Sequence, residues 1–188
     1  MIVRDDCIRL IAEHYTDQIV VPLYQAAFEW YELKRAPLTY YAFGAMEQGS
    51  SHGLGFALGR PDKQVLVLDG DGSLLMNLGT LVTIATVAPP NLVHFVFENG
   101  TYEANGGHPI PGGSALSFAG IAREAGIEKV FEFDDIDELT AQLPGILAMT
   151  GPVFVDLKVI PGGQYEYRWD VIHGPESRET FRQAMQQS

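Results

Sequence analysis

The chain carries, at residues 65–75, the stretch Val65-Leu66-Val67-Leu68-Asp69-Gly70-Asp71-Gly72-Ser73-Leu74-Leu75. An apolar, β-branched run that ends in acidic residues and glycines, with an amphipathic stretch after it, is typical of a buried strand that turns into a helix. Asp71 is therefore expected at the carboxyl end of the strand, where open α/β sheets bind their ligands. A carboxylate beside the N–H groups of a helix start suits a magnesium ion that carries a phosphate.

Strand-like and helix-like segments alternate on either side of this stretch. The pattern predicts strands over residues 18–21, 38–43, 65–68, 92–97, 129–133 and 152–159, and helices over residues 4–14, 25–34, 47–58, 78–87, 117–125 and 136–149. Strands that alternate with helices through short turns form a doubly wound α/β fold, a parallel sheet with helices on both faces. We expect a single domain over residues 1–188, in which residues 161–188 form a C-terminal tail with a short helix at 177–186.

Composition and charge exclude several kinds of partner. The 188 residues carry a formal net charge of −12, from 12 Lys and Arg against 24 Asp and Glu. Nucleic acids and anionic membranes are bound by basic surfaces, so neither is expected as a partner. Cys7 is the single cysteine, which rules out an intrachain disulfide and favours a reducing cytoplasm. We find no signal peptide and no apolar run of about 20 residues, and expect a soluble cytoplasmic protein.

A second polar residue follows the next predicted strand. Residues 73–98 separate Gly72 from Asn99, which is the length of one helix and one returning parallel strand. Asp71 and Asn99 are therefore expected at the same edge of two neighbouring strands. A carboxylate, an amide oxygen and nearby backbone oxygens form the hard oxygen shell that Mg²⁺ prefers, with positions left for phosphate oxygens. The pair predicts an anchor for magnesium and a diphosphate.

These residues also match a family signature. Gly70-Asp71-Gly72-Ser73 followed by Glu98-Asn99-Gly100-Thr101-Tyr102 resembles the signature of thiamin-diphosphate-dependent enzymes, Gly-Asp-Gly and two asparagines across a spacer of this length. The resemblance extends through residues 41–46, 60–63 and 74–81, and is closest to the diphosphate-binding half of sulfopyruvate and phosphonopyruvate decarboxylases. In particular, the chain looks like the separate beta subunit of sulfopyruvate decarboxylase. The resemblance implies a thiamin-diphosphate-binding fold, with thiamin diphosphate and Mg²⁺ as cofactors.

The resemblance assigns the cofactor contacts. The implied magnesium ligands are Asp71, the side chain of Asn99 and the main-chain oxygen of Thr101. The full set of implied cofactor-binding residues is Gly44, Ala45, Met46, Gly70, Asp71, Gly72, Ser73, Asn99, Thr101 and Tyr102.

Within that set, individual roles follow from the same resemblance. Gly72 and Ser73 would bind diphosphate oxygens, and the Gly44 carbonyl would accept a hydrogen bond from the aminopyrimidine. Met46 matches the apolar wedge that bends thiamin diphosphate into a V, although a methionine is also an ordinary core residue. Bending matters because it brings the 4′-imino nitrogen against the thiazolium C2 proton that it removes.

Two histidines and three acids have open roles. His108, in a predicted loop at 99–113, is either a proton-transfer group near neutral pH or an exposed loop histidine. His52 lies in the Gly-rich predicted helix, where it either approaches the cofactor or packs. Glu47, Glu98 and Glu103 depart from the family pattern, and would crowd an anionic 2-oxoacid unless they face solvent or a basic partner chain.

A required part of the active site belongs to another domain in this family. The resemblance implies a glutamate that activates the cofactor pyrimidine, contributed by a pyrimidine-binding domain for which this chain has no room. We therefore expect a partner subunit, with self-association as a further option. The implied reaction is decarboxylation of a small 2-oxoacid; which acid, and whether the decarboxylated intermediate is protonated, ligated or oxidised, stays open.

Two other functions fit parts of the sequence. Asp69 and Asp71 match the start of haloacid-dehalogenase-type phosphatases, as nucleophile and acid/base, with Asp134 and Asp135 as a later acidic pair near Lys129. That motif normally opens its domain, whereas here about a third of the chain precedes it, and it leaves Asn99 unexplained. A homologue that keeps the fold without activity is the other alternative.

Overall fold

A parallel sheet forms the centre of the molecule in a computed structural model that describes residues 1–42, 46–163 and 165–187. The strands are Ile2–Val3 (β1), Ile19–Pro22 (β2), Val65–Gly70 (β3), Leu92–Glu98 (β4), Thr101–Tyr102 (β5), His108–Pro109 (β6), Lys129–Phe133 (β7) and Val153–Ile160 (β8). In the sheet β2, β3, β4 and β8 lie side by side in this order, and the other edge of β8 pairs with both β7 and β1. β5 and β6 form a separate antiparallel hairpin.

Helices cover both faces of this sheet. The helices of the described ranges are Arg4–Glu13 (α1), Tyr24–Leu33 (α2), Gly49–Gly59 (α3), Asp71–Leu75 (α4), Gly79–Val87 (α5), Phe118–Glu124 (α6), Ile136–Leu147 (α7), Trp169–Ile172 (α8) and Pro175–Gln187 (α9). One core lies between the sheet and α1, α2 and α7, and a second lies between the sheet and α3, α5 and α6. The predicted doubly wound α/β fold is confirmed. Across the residues described, we find no helix with the length and apolar character needed to span a membrane.

The register of β3 against β4 sets the position of the site. β3 and β4 are buried on both faces, which explains why each is an almost continuous apolar run rather than an alternating one. Gly70 at the end of β3 pairs with Phe97 near the end of β4. Asp71 and Asn99 therefore leave the sheet at the same edge, as the spacing predicted.

The Gly-rich helix α3 packs closely onto β3. A Cβ atom on Gly53 would lie 2.2 Å from Cγ2 of Val67, a distance that no side chain can occupy. A glycine lowers the stability of a helix by about 1 kcal/mol relative to alanine. At Gly53 that cost is accepted because the helix backbone packs directly against β3. The close packing holds at Gly53 but not at Gly55 or Gly59, where a Cβ would meet no atom within 4 Å.

Some local predictions were wrong. The predicted strand at 38–43 is reduced to one bridge between Val20 and Thr39, and its last residue lies outside the described ranges. The predicted loop at 99–113 contains the β5–β6 hairpin. In the tail, a second helix, α8, precedes the predicted one. Asp5, in the first turn of α1, accepts hydrogen bonds from Gly163 N (2.9 Å) and Tyr165 Oη (2.8 Å), which attaches the tail to α1.

Candidate functional site

The carboxyl ends of β3 and β4 open into a cleft of about 480 Å³, partly open to solvent. The residues that line it are Arg4, Leu23, Tyr24, Gln25, Ala26, Met46, Asp69, Gly70, Asp71, Gly72, Ser73, Phe97, Asn99, Thr101, Tyr102, Glu103 and Ala104. Eight of the ten predicted cofactor-binding residues are among them, and the other two, Gly44 and Ala45, lie outside the described residues. The structure thus brings together three segments, at residues 46, 70–73 and 99–102, that are 24 or more positions apart in the chain.

Asp71 is a buried acid without a cationic partner. Its side chain accepts hydrogen bonds from the backbone N–H of Gly72 (2.7 Å) and of Gly100 (2.6 Å), and the residue is only 2% exposed. Burial raises the pKa of Asp71 to about 6, against the lowering effect of those two N–H groups. In residues 1–42, 46–163 and 165–187, no Lys, Arg or His forms an ion pair with it. A buried carboxylate in this state favours a cation from outside the chain.

Asn99 is held at both ends of its side-chain amide. Its Oδ1 accepts hydrogen bonds from the backbone N–H (2.8 Å) and the hydroxyl (3.1 Å) of Thr101, and its Nδ2 donates to Oε2 of Glu103 at 2.8 Å. A flipped amide would place its NH₂ against the Thr101 N–H and its oxygen against a carboxylate. The network therefore fixes which end of the amide is the oxygen.

The hairpin directs the carbonyls around Thr101. Gly100 O accepts from Ile110 N (3.0 Å) and Tyr102 O accepts from Gly107 N (3.0 Å), both within the hairpin. Successive carbonyls of an extended strand point in opposite directions, so the carbonyl of Thr101 faces away from the hairpin partner. Among the described residues no three His, Cys, Asp or Glu side chains are grouped to hold a metal ion, so a cation here would rely on Asp71 with amide and main-chain oxygens.

The turn after β3 is open at Gly70, where a diphosphate would need room, and tightly packed at Gly72. A Cβ atom on Gly70 would meet no atom within 4 Å, whereas one on Gly72 would lie 2.5 Å from Cδ1 of Tyr102. Gly72 therefore lets the hairpin sit directly on the start of α4. Ser73 Oγ accepts a hydrogen bond from the backbone N–H of Glu47 at 3.0 Å, which joins this turn to the segment before α3.

The remaining predicted residues differ in their placement. Met46 lines the cleft and is half-buried, as a cofactor wedge would require. His108 is exposed on β6 and is not a lining residue, although its hairpin partner Tyr102 is. His52 packs edge-on against Tyr40, with ring centroids 5.2 Å apart, and burial lowers the pKa of its imidazole. His52 does not line the cleft.

Two of the three unusual acids are balanced by cations of this chain. Arg4 donates to Glu103, with Nη1 2.5 Å from Oε2, and Lys158 Nζ lies 2.6 Å from Oε2 of Glu98. Burial raises the pKa of Glu103, but hydrogen bonds from Arg4 and its other neighbours outweigh this, and the pKa is lowered. Each of these two carboxylates therefore has a cation of this chain beside it, shared with at least one further acid.

Glu47, the third acid, has a strained backbone. Its φ of +81° lies in the left-handed region, where glycine is favoured and a side chain costs about 1–2 kcal/mol. Its carboxylate accepts from Nε2 of Gln48 at 2.9 Å. A glycine would adopt this conformation without that cost.

The phosphatase interpretation does not fit the geometry. The side chain of Asp69 is fully buried and accepts from the backbone N–H of Gly70 (2.9 Å) with His94 Nε2 3.3 Å away, so it is not available as a nucleophile. Asp135 caps α7, where it accepts from the N–H groups of Asp137 and Glu138. Asp69 and Asp135 thus have structural roles in the fold.

Sequence reasoning missed part of the cleft wall. Arg4, Tyr24 and Gln25 line the cleft from the first 25 residues, far in sequence from the signature. Arg4 is 4% exposed and is bound in a buried ion pair with Glu29, at 2.6 Å. An arginine at the start of an amphipathic helix normally indicates a solvated position, so no local signal could have placed it here.

The fold and the site together define a class of protein. It is a parallel α/β domain in which a buried carboxylate, Asp71, and an oriented amide, Asn99, follow the ends of two adjacent strands. Residues 21–157 match the family model described as "Thiamine pyrophosphate enzyme, C-terminal TPP binding domain". The chain belongs to the thiamine pyrophosphate enzyme family, as its C-terminal-type, cofactor-binding domain.

Several curated relatives are similar to most of this chain. A sulfopyruvate decarboxylase subunit beta from Methanothermobacter thermautotrophicus is 36% identical over 86% of this chain and 84% of its own length. A phosphonopyruvate decarboxylase from Streptomyces hygroscopicus is 40% identical over 71% of this chain, which spans only 33% of that protein. Acetolactate synthase 2 from Nicotiana tabacum is 29% identical over 85% of this chain and 27% of its own length.

The fold is also shared with a solved structure. A proposed thiamin diphosphate-dependent enzyme from Mycobacterium smegmatis superimposes with a TM-score of 0.70 over 87% of this chain and 32% of its own, at 22% identity. This likeness confirms the fold.

Proposed function

We propose that this chain is the diphosphate- and magnesium-binding subunit of a thiamin-diphosphate-dependent 2-oxoacid decarboxylase of the sulfopyruvate or phosphonopyruvate decarboxylase type. Family membership supports the cofactor, and relatives with 36% and 40% identity carry those names. The observation that carries the proposal is Asp71, a buried carboxylate that lines the cleft without a cation of its own.

In this proposal the turn and the hairpin hold the cofactor. Asp71, Oδ1 of Asn99 and the main-chain oxygen of Thr101 would bind Mg²⁺, which prefers such oxygen ligands. The residues Gly70, Gly72, Ser73 and Tyr102 would contact the cofactor itself. When bound, thiamin diphosphate supplies the nucleophilic carbon and the electron sink that loss of carbon dioxide requires.

Other residues of the chain would orient the cofactor and move protons. Met46, on the cleft wall, would support the bent form, together with Gly44 and Ala45. His108 lies opposite the cleft residue Tyr102 in the hairpin, which makes it the candidate for transferring a proton to or from a small 2-oxoacid.

A partner subunit would complete the site by supplying the glutamate that activates the cofactor pyrimidine. The beta-subunit names of the archaeal relatives support a partner, and this chain spans about a third of the phosphonopyruvate decarboxylase. Association of this chain with itself is compatible with the same scheme. We further propose that residues 1–188 form a single domain with a tail at 161–188, and that the enzyme is cytoplasmic.

A second candidate is a subunit of a thiamin-diphosphate-dependent carboligase or 2-oxoacid oxidoreductase. The similarity to an acetolactate synthase favours the carboligase. The two are separated by product: decarboxylation releases one aldehyde per carbon dioxide, whereas ligation joins the remaining fragment to a second oxo compound.

The test is calorimetry of thiamin diphosphate binding, for the full chain alone and with a pyrimidine-binding subunit purified from the same organism. We expect binding with excess Mg²⁺ and none with EDTA. Asp71→Ala should weaken binding by about 100-fold or more, because groups that only support a metal ligand already contribute roughly 10- to 100-fold. Asp134→Ala, which removes an exposed acid, is the matched control and should leave binding unchanged.

Three outcomes would contradict the proposal or a part of it. If thiamin diphosphate binding does not depend on Mg²⁺, either with or without the partner subunit, the cofactor assignment is wrong. Equal binding by wild type and Asp71→Ala would contradict it as well. Full decarboxylase turnover by this chain alone would retain the cofactor and remove the need for a different partner subunit.

A further inference from the structure

Glu103 lies between a buried cation and the amide of Asn99. Its Oε2 accepts from Arg4 Nη1 at 2.5 Å and from Asn99 Nδ2 at 2.8 Å, while its Oε1 accepts from Arg4 Nη2 at 3.2 Å. One carboxylate oxygen thus joins a guanidinium to the amide nitrogen of the proposed metal ligand. Hydrogen bonds with a charged member are about twice as strong as neutral ones, so the contact orients its neighbours firmly.

The position of Glu103 is set by the core and not by the hairpin alone. Arg4 is 4% exposed and donates through Nε and Nη2 to Glu29, at distances of 2.6 to 2.9 Å. Glu29 is itself buried in α2. The hairpin is a two-stranded element, which is marginally stable by itself, and the ion pair attaches it to two helices.

A carboxylate behind the amide affects the amide oxygen in two ways. It prevents the flip that would present NH₂ instead of Oδ1, because a flip would face two oxygens toward each other. It also polarises the amide, because an acceptor at the NH₂ group makes the amide oxygen more negative and so a better ligand for a cation. Both effects favour a cation at Oδ1.

We propose that Glu103, held by Arg4, is a positioning residue that fixes the Asn99 amide with its oxygen toward the metal. The inference rests on the proposed function, since it presumes that Mg²⁺ is bound at Asp71 and Asn99. It gives a purpose to an acid that departs from the family pattern: the departure is built into the metal site instead of facing the substrate.

The experiment measures Mg²⁺ affinity by calorimetry at saturating thiamin diphosphate, for the full chain with its partner subunit. Glu103→Ala should weaken Mg²⁺ binding roughly 10- to 100-fold, the usual effect of losing a group that orients a metal ligand. Glu103→Gln should restore much of the affinity, because its amide oxygen accepts the same bond from Asn99 without the charge. Arg4 keeps Glu29 as its partner in both variants, so folding is preserved.

Glu98→Gln is the charge-matched control. It removes one acid close in sequence, at the end of β4, but the Glu98 carboxylate binds Lys158 and not the amide of Asn99. We expect its Mg²⁺ affinity to stay within about 3-fold of wild type, because the charge of Glu98 is already offset by Lys158 at 2.6 Å.

The outcomes separate the inference from the function beneath it. Wild type that binds thiamin diphosphate without Mg²⁺ dependence overturns both. Magnesium-dependent wild type with an unaltered Glu103→Ala overturns the positioning role alone. Equal losses in Glu103→Ala and Glu98→Gln also overturn it, because they would trace the effect to net charge. A loss in Glu103→Ala that Glu103→Gln largely reverses supports it.

Discussion

Two buried acids, one within β8 and one directly after β3, have opposite surroundings. Asp156, in β8, is fully buried with its Oδ2 2.9 Å from Lys158 Nζ. Asp71, which directly follows β3, accepts hydrogen bonds from the N–H groups of Gly72 and Gly100 and has no cation beside it among the described residues. Burial raises the pKa of both carboxyls, to about 7 for Asp156 and about 6 for Asp71. Asp156 has a lysine of the chain beside it, whereas Asp71 lines the cleft.

The difference indicates how to recognise a binding site among acids. Lys158 also contacts Glu98 and Glu132, so a single cation serves three carboxylates in that cluster. A buried charge is stable only when it is paired or binds a metal. The cluster around Lys158 meets the first condition and thus has a structural role, whereas Asp71 would meet the second.

The largest effect that we expect is on the free energy of unfolding, which should distinguish the two acids. Lys158→Met leaves Asp156 buried without a cation and should lower the free energy of unfolding by about 3 kcal/mol, the low end for a broken buried ion pair because Lys158 is partly exposed. Asp71→Ala should change it by about 1 kcal/mol or less without metal, since no ion pair is lost. Both are measured by urea unfolding at pH 7 with EDTA.

Lys63→Met is the matched control for that experiment. Lys63 pairs with Asp17, which is 68% exposed, so the pair contributes about 1 kcal/mol or less. Equal losses for Lys158→Met and Lys63→Met, or a larger loss for Asp71→Ala, would remove the distinction between the two acids.

A smaller effect appears in the pH dependence of Asp156→Asn. Folding raises the pKa of Asp156 from 3.8 to about 7, so the native state holds its proton more tightly than the unfolded chain. Ionisation of Asp156 therefore costs stability as pH rises from 4 to 7. Asparagine removes this cost, and its NH₂ can donate to Glu98. The variant should gain about 2 kcal/mol on wild type by pH 7, less than the full shift because the buried asparagine amide also loses its hydrogen bonds with water.

Urea unfolding of both proteins at several pH values measures that difference. It should increase from pH 4 to pH 7. A difference that does not vary with pH would mean that Asp156 is ionised at no cost, and that Lys158 balances it completely.

The smallest expected effect concerns strain beside the open acid. Glu47→Gly should raise the free energy of unfolding by up to about 1 kcal/mol, because glycine adopts the left-handed conformation without penalty while losing more chain entropy on folding. Glu47→Ala is the control: it keeps a Cβ and should give no gain. A gain in the alanine variant equal to that in glycine would assign the effect to the carboxylate instead of the backbone.

The sequence predicted the site where its geometry follows from local pattern. Buried strands, turn glycines and the length of one crossover were enough to place Asp71 beside Asn99, because parallel strands end at one edge. The same reasoning could not find Arg4 and Glu103, which are 99 residues apart and meet only through packing of α1 against the hairpin. The predicted strand at 38–43 was wrong because strand pairing also depends on distant residues. In the described part of this segment, Thr39 forms a bridge with Val20.

The order of the strands has a consequence for how the chain folds. β8 is the last strand along the chain, yet it lies between β4 and the edge formed by β7 and β1. Until residues 153–160 are in place, β4 presents an unpaired edge, and the described strands β1 and β7 have no partner in the sheet. Contacts between distant parts of a chain form slowly, so folding should be limited by insertion of this strand. Intermediates that lack it are the species expected to aggregate.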